Sequence, residues 1–296
     1  MTNNDADNIY RRFYFHKFYH WTDLKKTLLL LFIFLPICLT AQQHPLAVES
    51  SALLDPGLAQ LDLGLSYFRN QPYPLSGLKG HLLKFGNLYF AVSLSEYVEL
   101  QTEGTVLNLL DVTKRDSAFN SRRTTRSNPT GDIGDFTIWT KFGLLNEYRF
   151  GLGLSVRFGV QLPNASNESG LGVDEMNFYS SLLLEKHIGG KWTCNVGLGI
   201  LSDPTVLGQQ HDVFIYGIQY YLPIAEKTSI FAESSGRKGH AGIGIPHLAG
   251  SKIGIEQTFG DVTATLSGMF NHSPNDYAKG VELSFSYLLR IVDVKK

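Results

Sequence analysis

The sequence predicts an all-β chain: a closed, antiparallel, up-and-down transmembrane β-barrel of about 12 strands, following a cleaved signal peptide. Three observations carry that expectation. Residues 149–162 alternate without a miss, with Phe150, Leu152, Leu154, Val156, Phe158, Val160 and Leu162 at every second place. Similar stretches recur along the chain, and the joints between them are by turns tight and long. Near the front, a basic flank runs into a short apolar core.

The alternating stretch is the unit of the argument. A strand has a side-chain period of two, so residues 149–162 present one apolar row and one row of Arg149, Gly151, Gly153, Ser155, Arg157, Gly159 and Gln161. Half-buried soluble strands are usually about 5–6 residues long, whereas a strand crossing lipid at its tilt needs about 9–11. Arg149 and Arg157 fit only a lumen-facing row, because lipid tolerates no charge on the other. On this register an arginine is expected to be tolerated at Ser155 and to impair insertion at Phe158.

Composition decides less. With 296 residues, 18% charged, 43% hydrophobic, 29 Gly against 11 Pro and a net charge of −1, the chain would suit a soluble α/β protein equally well. A membrane barrel hides its hydrophobicity in alternation. The front is more telling. Lys25 and Lys26 precede the run from Thr27 to Ala41, which is shorter than the ~20 residues of a membrane-spanning helix. Residues 1–41 are therefore expected to be a signal peptide, 42–58 a periplasmic lead broken by Pro45 and Pro56, and 59–296 the outer-membrane barrel. Cys194 is the one cysteine beyond Cys38, so no disulfide framework is expected, and its place on the apolar row of its strand reads as a lipid-facing small hydrophobe. Without residues 1–41 the chain keeps 21 of its 26 basic and 24 of its 27 acidic side chains, a balance that points to no nucleic-acid partner.

The strands are expected at residues 59–69, 82–94, 97–112, from Asp132, 149–162, 175–188, 191–201, 212–224, 228–235, 248–259, 262–270 and 279–291. In the fourth, Phe136, Ile138, Thr140 and Phe142 oppose Asp135, Thr137, Trp139 and Lys141. Tight joints fall at Ser95-Glu96, Leu145 to Tyr148, Gly189-Gly190, Ala225 to Lys227 and Gly260-Asp261, and the rest are longer and polar. An even strand count with short periplasmic turns and long outer loops is the habit of outer-membrane barrels, and closure removes the edges that lipid forbids.

No nucleotide-binding, zinc-protease or nucleophile-elbow motif occurs, and no cofactor or metal is expected. His240 and His247, among Gly239, Gly242 and Gly244, read as ordinary loop histidines before metal ligands. An enzyme acting on lipid would have to draw on Glu233, Ser235 and His240. The inner rows say more. Asp62, Asp135, Lys141, Arg149, Arg157, Glu185, Lys252, Glu256, Glu282 and Arg290 are all expected to project into the barrel as candidate selectivity residues. Those charges either orient a passing solute or pair across the lumen and fill it. Barrels of about eight strands are filled and those of about sixteen are open, so geometry leaves both readings standing. The inner-row glycines Gly151, Gly153, Gly159, Gly197 and Gly199 favour open space. Lys114, Arg115, Arg122, Arg123 and Arg126 lie in an outer basic loop that could bind lipid phosphates, fold inward, or stand as a solvated tip, the last being the plainest.

Gly131-Asp132-Ile133-Gly134-Asp135-Phe136, followed by Trp139-Thr140-Lys141-Phe142, Gln161-Leu162-Pro163, Gly170-Leu171-Gly172 and Asn195-Val196-Gly197-Leu198-Gly199, resembles the outer-membrane barrels labelled the meta-pathway phenol-degradation family. Asn164-Ala165 departs from the Thr-Gly usual there. The resemblance implies a channel or transporter for small molecules, aromatic or apolar ones included, with outer-membrane lipid and the solutes as partners. A structural or adhesive barrel with a plugged lumen is the alternative.

Overall fold

The computed structural model describes residues 47–240, 242–274 and 276–291; the expected signal peptide lies outside the described residues. Strands run at β1 (Leu58–Tyr73), β2 (Leu78–Ser93), β3 (Val98–Arg115), β4 (Thr130–Asp132), β5 (Phe136–Leu145), β6 (Gly153–Leu162), β7 (Asn177–His187), β8 (Lys191–Ser202), β9 (Gln210–Ala225), β10 (Thr228–Gly239), β11 (Leu248–Phe259), β12 (Val262–Asn271) and β13 (Lys279–Arg290). Apart from β4 and β5, consecutive strands pair antiparallel, and β1 pairs with β13 from Leu58↔Arg290 to Arg69↔Lys279, which closes the sheet. β4 and β5 make one wall element, both pairing with β3, so the barrel has twelve spans. Among the described residues no helix is long and apolar enough to cross a membrane.

Alternation sets which way each row faces. On β6, Phe158 is 52% exposed while Ser155 and Arg157 are buried, and Leu63, Ile218, Ile255 and Leu283 continue the exposed apolar belt on other strands. Cys194 is partly exposed on the same outward row as Trp192 and Leu198. Tyr97, Tyr148, Phe150, Trp192, Phe259 and Tyr287 stand exposed at the end with the short turns, an aromatic girdle suited to a lipid–water boundary.

Three departures from the sequence expectation have local causes. Residues 147–150 form a single helical turn, so Arg149 is exposed at the rim and does not line the lumen. Asn146 accepts from the Tyr148 N–H at 2.9 Å and Gly151 closes the turn at φ 71°; start and stop signals outweigh the alternation there. The fourth span breaks at residues 133–135 because side chains replace the ladder: Asp135 accepts from the Ala165 N–H and Asp132 from the Ser166 N–H, both at 2.8 Å. β1 runs past Asn70, which takes φ 61° at a bulge, and pairs Pro72 with Lys79, so the joint to β2 is tight where a long loop was expected.

Candidate functional site

The lumen is the candidate site, and its two halves are built differently. At the short-turn end, residues 47–54 run inside the barrel. The lead expected on the periplasmic side is therefore, over this part, an inward segment. Its hub is Glu49. Lys141 Nζ lies 2.9 Å from Glu49 Oε1 and 3.4 Å from Glu99 Oε1, and donates to the Ala52 carbonyl at 2.6 Å. Gln101 donates to Glu49 at 3.2 Å, and an Arg157 guanidinium nitrogen lies 4.0 Å from its other oxygen. The backbone of the segment is held as well: Val48 N–H donates to Glu233 at 3.1 Å, Leu54 N–H to Glu99 at 2.7 Å, and Ser155 Oγ to the Ser51 carbonyl at 2.5 Å. Ser50 donates to Glu185.

The inner-row glycines make this fit possible, so their space is occupied where the sequence reading expected it open. A Cβ on Gly217 would sit 2.6 Å from Val48, one on Gly153 2.4 Å from Ser51, and one on Gly159 2.3 Å from the Trp139 ring. Side chains of that row would collide with the segment or with the indole.

A second polar group lies across the seam. Glu282 of β13 accepts from Ser66 of β1 at 2.9 Å and from Asn87 of β2 at 3.2 Å, and pairs with Lys252 of β11. These residues border a space of about 50 Å³ with Ala47, Phe68 and Lys84. Toward the long loops the lining turns apolar. Trp139, Tyr179, Leu201, Val213, Ile215 and Ile245 form one buried cluster, and Phe68, Leu78, Leu82, Leu110 and Met269 another. Trp139 Nε1 donates to Glu103 at 2.8 Å, and Arg157 stacks over the indole at 4.1 Å. Above them opens a cleft of about 700 Å³ bordered by Tyr73, Leu78, Lys79, Lys114, Ile243 and His247, among others.

Of the residues expected in the lumen, Lys141, Arg157, Glu185 and Glu282 are buried there, with Lys252 beside Glu282. Asp62 and Glu256 are half-buried, Asp62 accepting from Gln60 at 2.9 Å. Asp135 sits at the loop rim, and Arg290 is exposed at the end of β13 opposite Leu58. The sequence reading missed Glu49, which follows no period, and also Glu99, Gln101 and Glu103, whose spacing by two in β3 was legible.

In the basic loop, Lys114 pairs with Asp116 at 2.7 Å, Arg115 donates to the Ser127 carbonyl at 2.8 Å and Arg123 to the Val173 carbonyl at 3.1 Å. Arg122 and Arg126 are exposed. Two of the five basic side chains thus brace the loop itself, and Arg123 ties it to the loop before β7. Glu233, Ser235 and His240 do not assemble as a catalytic trio: buried Ser235 lies next to Glu233 on the inner row, and His240 is five residues further on, roughly 16 Å at strand rise.

Two rim clusters combine carboxylates with histidine. Glu147 lies 2.6 Å from His187 Nδ1 and accepts from the His187 N–H at 2.7 Å. Burial works to raise the Glu147 carboxyl, but these hydrogen bonds and the nearby Lys186 outweigh it and hold the group below the ordinary carboxylate range. At the loop end, Asp203 meets His211 and His240. Burial again works upward on Asp203, and hydrogen bonds from the Thr205 hydroxyl and N–H, with the two histidines, bring it below the ordinary range. His247 does not join that group; its Nε2 lies 3.0 Å from the Gly239 carbonyl.

No family model and no curated protein matches the chain. Among solved structures it is similar to an outer-membrane channel from Pseudomonas putida F1, with 12% identity and a TM-score of 0.55 over 84% of this chain and 99% of that one. It is also similar to the translocator domain of the autotransporter NalP from Neisseria meningitidis, at 12% identity and TM-score 0.45 over 79% and 89% of the two chains. A deletion mutant of TodX, titled a monoaromatic hydrocarbon channel, aligns at 9% identity and TM-score 0.42 over 81% and 92%. The first of these likenesses shows the fold: a barrel of the bacterial outer-membrane type.

Proposed function

We propose that this chain is an outer-membrane channel for small organic solutes, exported through the signal peptide at residues 1–41 and drawn in the structure with its turn-end mouth occupied by residues 47–54. The observation that carries the reading is the contrast between the two faces of one wall: an apolar belt outside and a dense, charged inner row held by the chain's own N-terminal segment. Lipid-facing sheets need no such lining, whereas a conduit does. The resemblance of residues 131–200 to the phenol-degradation barrels supports small aromatic or apolar solutes as cargo, and the mixed apolar and basic border of the outer cleft suits them. The chemistry needed is binding and passage alone, with outer-membrane lipid outside and solute within. Lys141, Arg157, Glu185, Lys252 and Glu282 are the residues that would set selectivity once the segment moves.

Single-channel recording of the refolded mature chain, beside a variant lacking residues 42–54, tests this. Small, intermittent conductance in the first and large, steady conductance in the second is expected, with uptake of an aromatic acid into liposomes following the same order. Silence and no uptake in both would overturn the channel and favour the second reading, a structural barrel with a sealed lumen, which the bonded segment itself commends.

A further inference from the structure

We propose that Asp203, His211 and His240 form a binding site for one divalent first-row transition-metal ion of the zinc type, at the loop end of the barrel. One ligand atom from each residue lies within 4.8 Å of the others. They come from separate places, Asp203 from the joint after β8, His211 from the start of β9 and His240 just past β10, so the fold gathers them and no sequence motif does.

The second observation is a buried nitrogen without a hydrogen bond. His211 Nε2 is buried and makes no hydrogen bond, and Asp203 Oδ2 stands 3.5 Å away, too far to satisfy it. The other oxygen, Asp203 Oδ1, is engaged by the Thr205 N–H at 2.8 Å and the Thr205 hydroxyl at 2.6 Å, which fixes the carboxylate with Oδ2 turned toward the histidine. Such orientation of a ligand by its own hydrogen bonds is a regular feature of metal sites. Two imidazoles with one carboxylate suit zinc, nickel or copper, and fit poorly to the all-oxygen shells of magnesium or calcium. The His240 ring lies flat on His211, with centroids 3.6 Å apart and an interplanar angle of 3°. Face to face, two imidazoles cannot aim lone pairs at one ion, so binding turns exposed His240 edge-on, and water completes the shell from its open side.

The other mixed cluster shows what a satisfied group looks like. His187 Nδ1 is taken by Glu147 at 2.6 Å, and Glu185 accepts from Ser50. The His187 imidazole already has a carboxylate at hydrogen-bond length, which His211 lacks.

Binding would also have a mechanical consequence. The connection after His240 folds over the lumen: Ile245 is buried in the apolar cluster with Trp139, and a Cβ on Gly244 would sit 2.7 Å from Asp203 Oδ1. An ion shared by Asp203, His211 and His240 ties the two neighbouring joints and latches residues 242–247 inward. The latch as a control on passage rests on the channel reading; the site does not.

The test uses the refolded mature chain without a histidine tag, titrated calorimetrically with Zn²⁺ and, by visible absorption, with Co²⁺. One equivalent per barrel is expected, weakened at least about tenfold by His240→Ala and by His211→Ala, and unchanged by His187→Ala. Because His240 is exposed, its variant keeps the barrel intact, which heat-modifiable gel mobility verifies. No stoichiometric binding, or binding that the His240 variant retains, would overturn the site. Proteinase K should cut residues 242–247 more slowly with Zn²⁺ bound, and equal rates would remove the latch.

Discussion

The two halves of the lumen solve one packing problem by opposite means. Trp139 and Lys141 are consecutive members of a single inner row, both essentially inaccessible. Trp139 fills its level with its own ring, laid over Gly159 and packed on Tyr179 at 5.8 Å between centroids. Lys141 cannot fill its level, and the chain brings in Glu49 and Ala52 from outside the sheet to meet it. A twelve-span barrel is therefore wide enough to need filling and can be filled either by side-chain bulk or by a borrowed segment. The first is fixed in the wall; the second is attached only by bonds that can be broken.

The contrast is broken most severely at Lys141. Lys141→Met leaves Glu49 and Glu99 buried beside an apolar side chain, and breaking such a pair by removing one partner costs about 3–5 kcal/mol. Equilibrium unfolding in urea, from detergent-folded protein, should show a loss of that order; a loss below about 1 kcal/mol, the range of exposed pairs, would mean that water reaches the pair.

Two arginines sharpen it next. Phe158→Arg places a charge on the lipid-facing row and should cost about 2–4 kcal/mol near the bilayer midplane, read by folding yield into vesicles. Ser155→Arg, tolerable on alternation alone, now has a different outcome. Ser155 is fully buried against Ser51, so the larger side chain should expel residues 47–54 and raise conductance while the wall folds. Normal folding with unchanged conductance would mean that the segment is not the obstruction.

The smallest effect belongs to the rim. Because the folded-state Glu147 carboxyl is held below its ordinary value, its contribution is present above that value, about pH 4, and fades as pH falls through the lowered one. Amide protection factors across residues 147–151, which correct for the intrinsic slowing of exchange in acid, should fall as pH drops, and Glu147→Gln should remove that fall. Protection that falls equally in the variant would assign the change to another group.

Much of the wall was legible because a period of two is enforced by lipid on one side. β11 begins and ends where alternation placed it, and the rows of β5 and β6 face as expected. Errors gathered where local chemistry competes with the period, at Asn146 to Gly151 and at Asp132 to Asp135. The lumen was half legible. Inner-row charges could be named, but whether they face water or one another depends on what lies opposite, and Glu49 comes from a stretch with no period at all. Glycines at 153, 159 and 217 carry no sign of whether they leave room or make room. The metal-type cluster was invisible because Asp203, His211 and His240 meet only once three strand ends converge.

Glu282 gives the seam a further meaning. It lies in the last strand, and its partners Ser66 and Asn87 belong to the first two, with Lys252 two strands before it. A chain cut short of β13 would lack Glu282, stranding Lys252 in the wall without that carboxylate and leaving β1 with an unpaired edge, faults that lipid does not forgive. β13 thus joins two tasks in one strand: the pairing that closes the wall and the carboxylate that Ser66, Asn87 and Lys252 share arrive together.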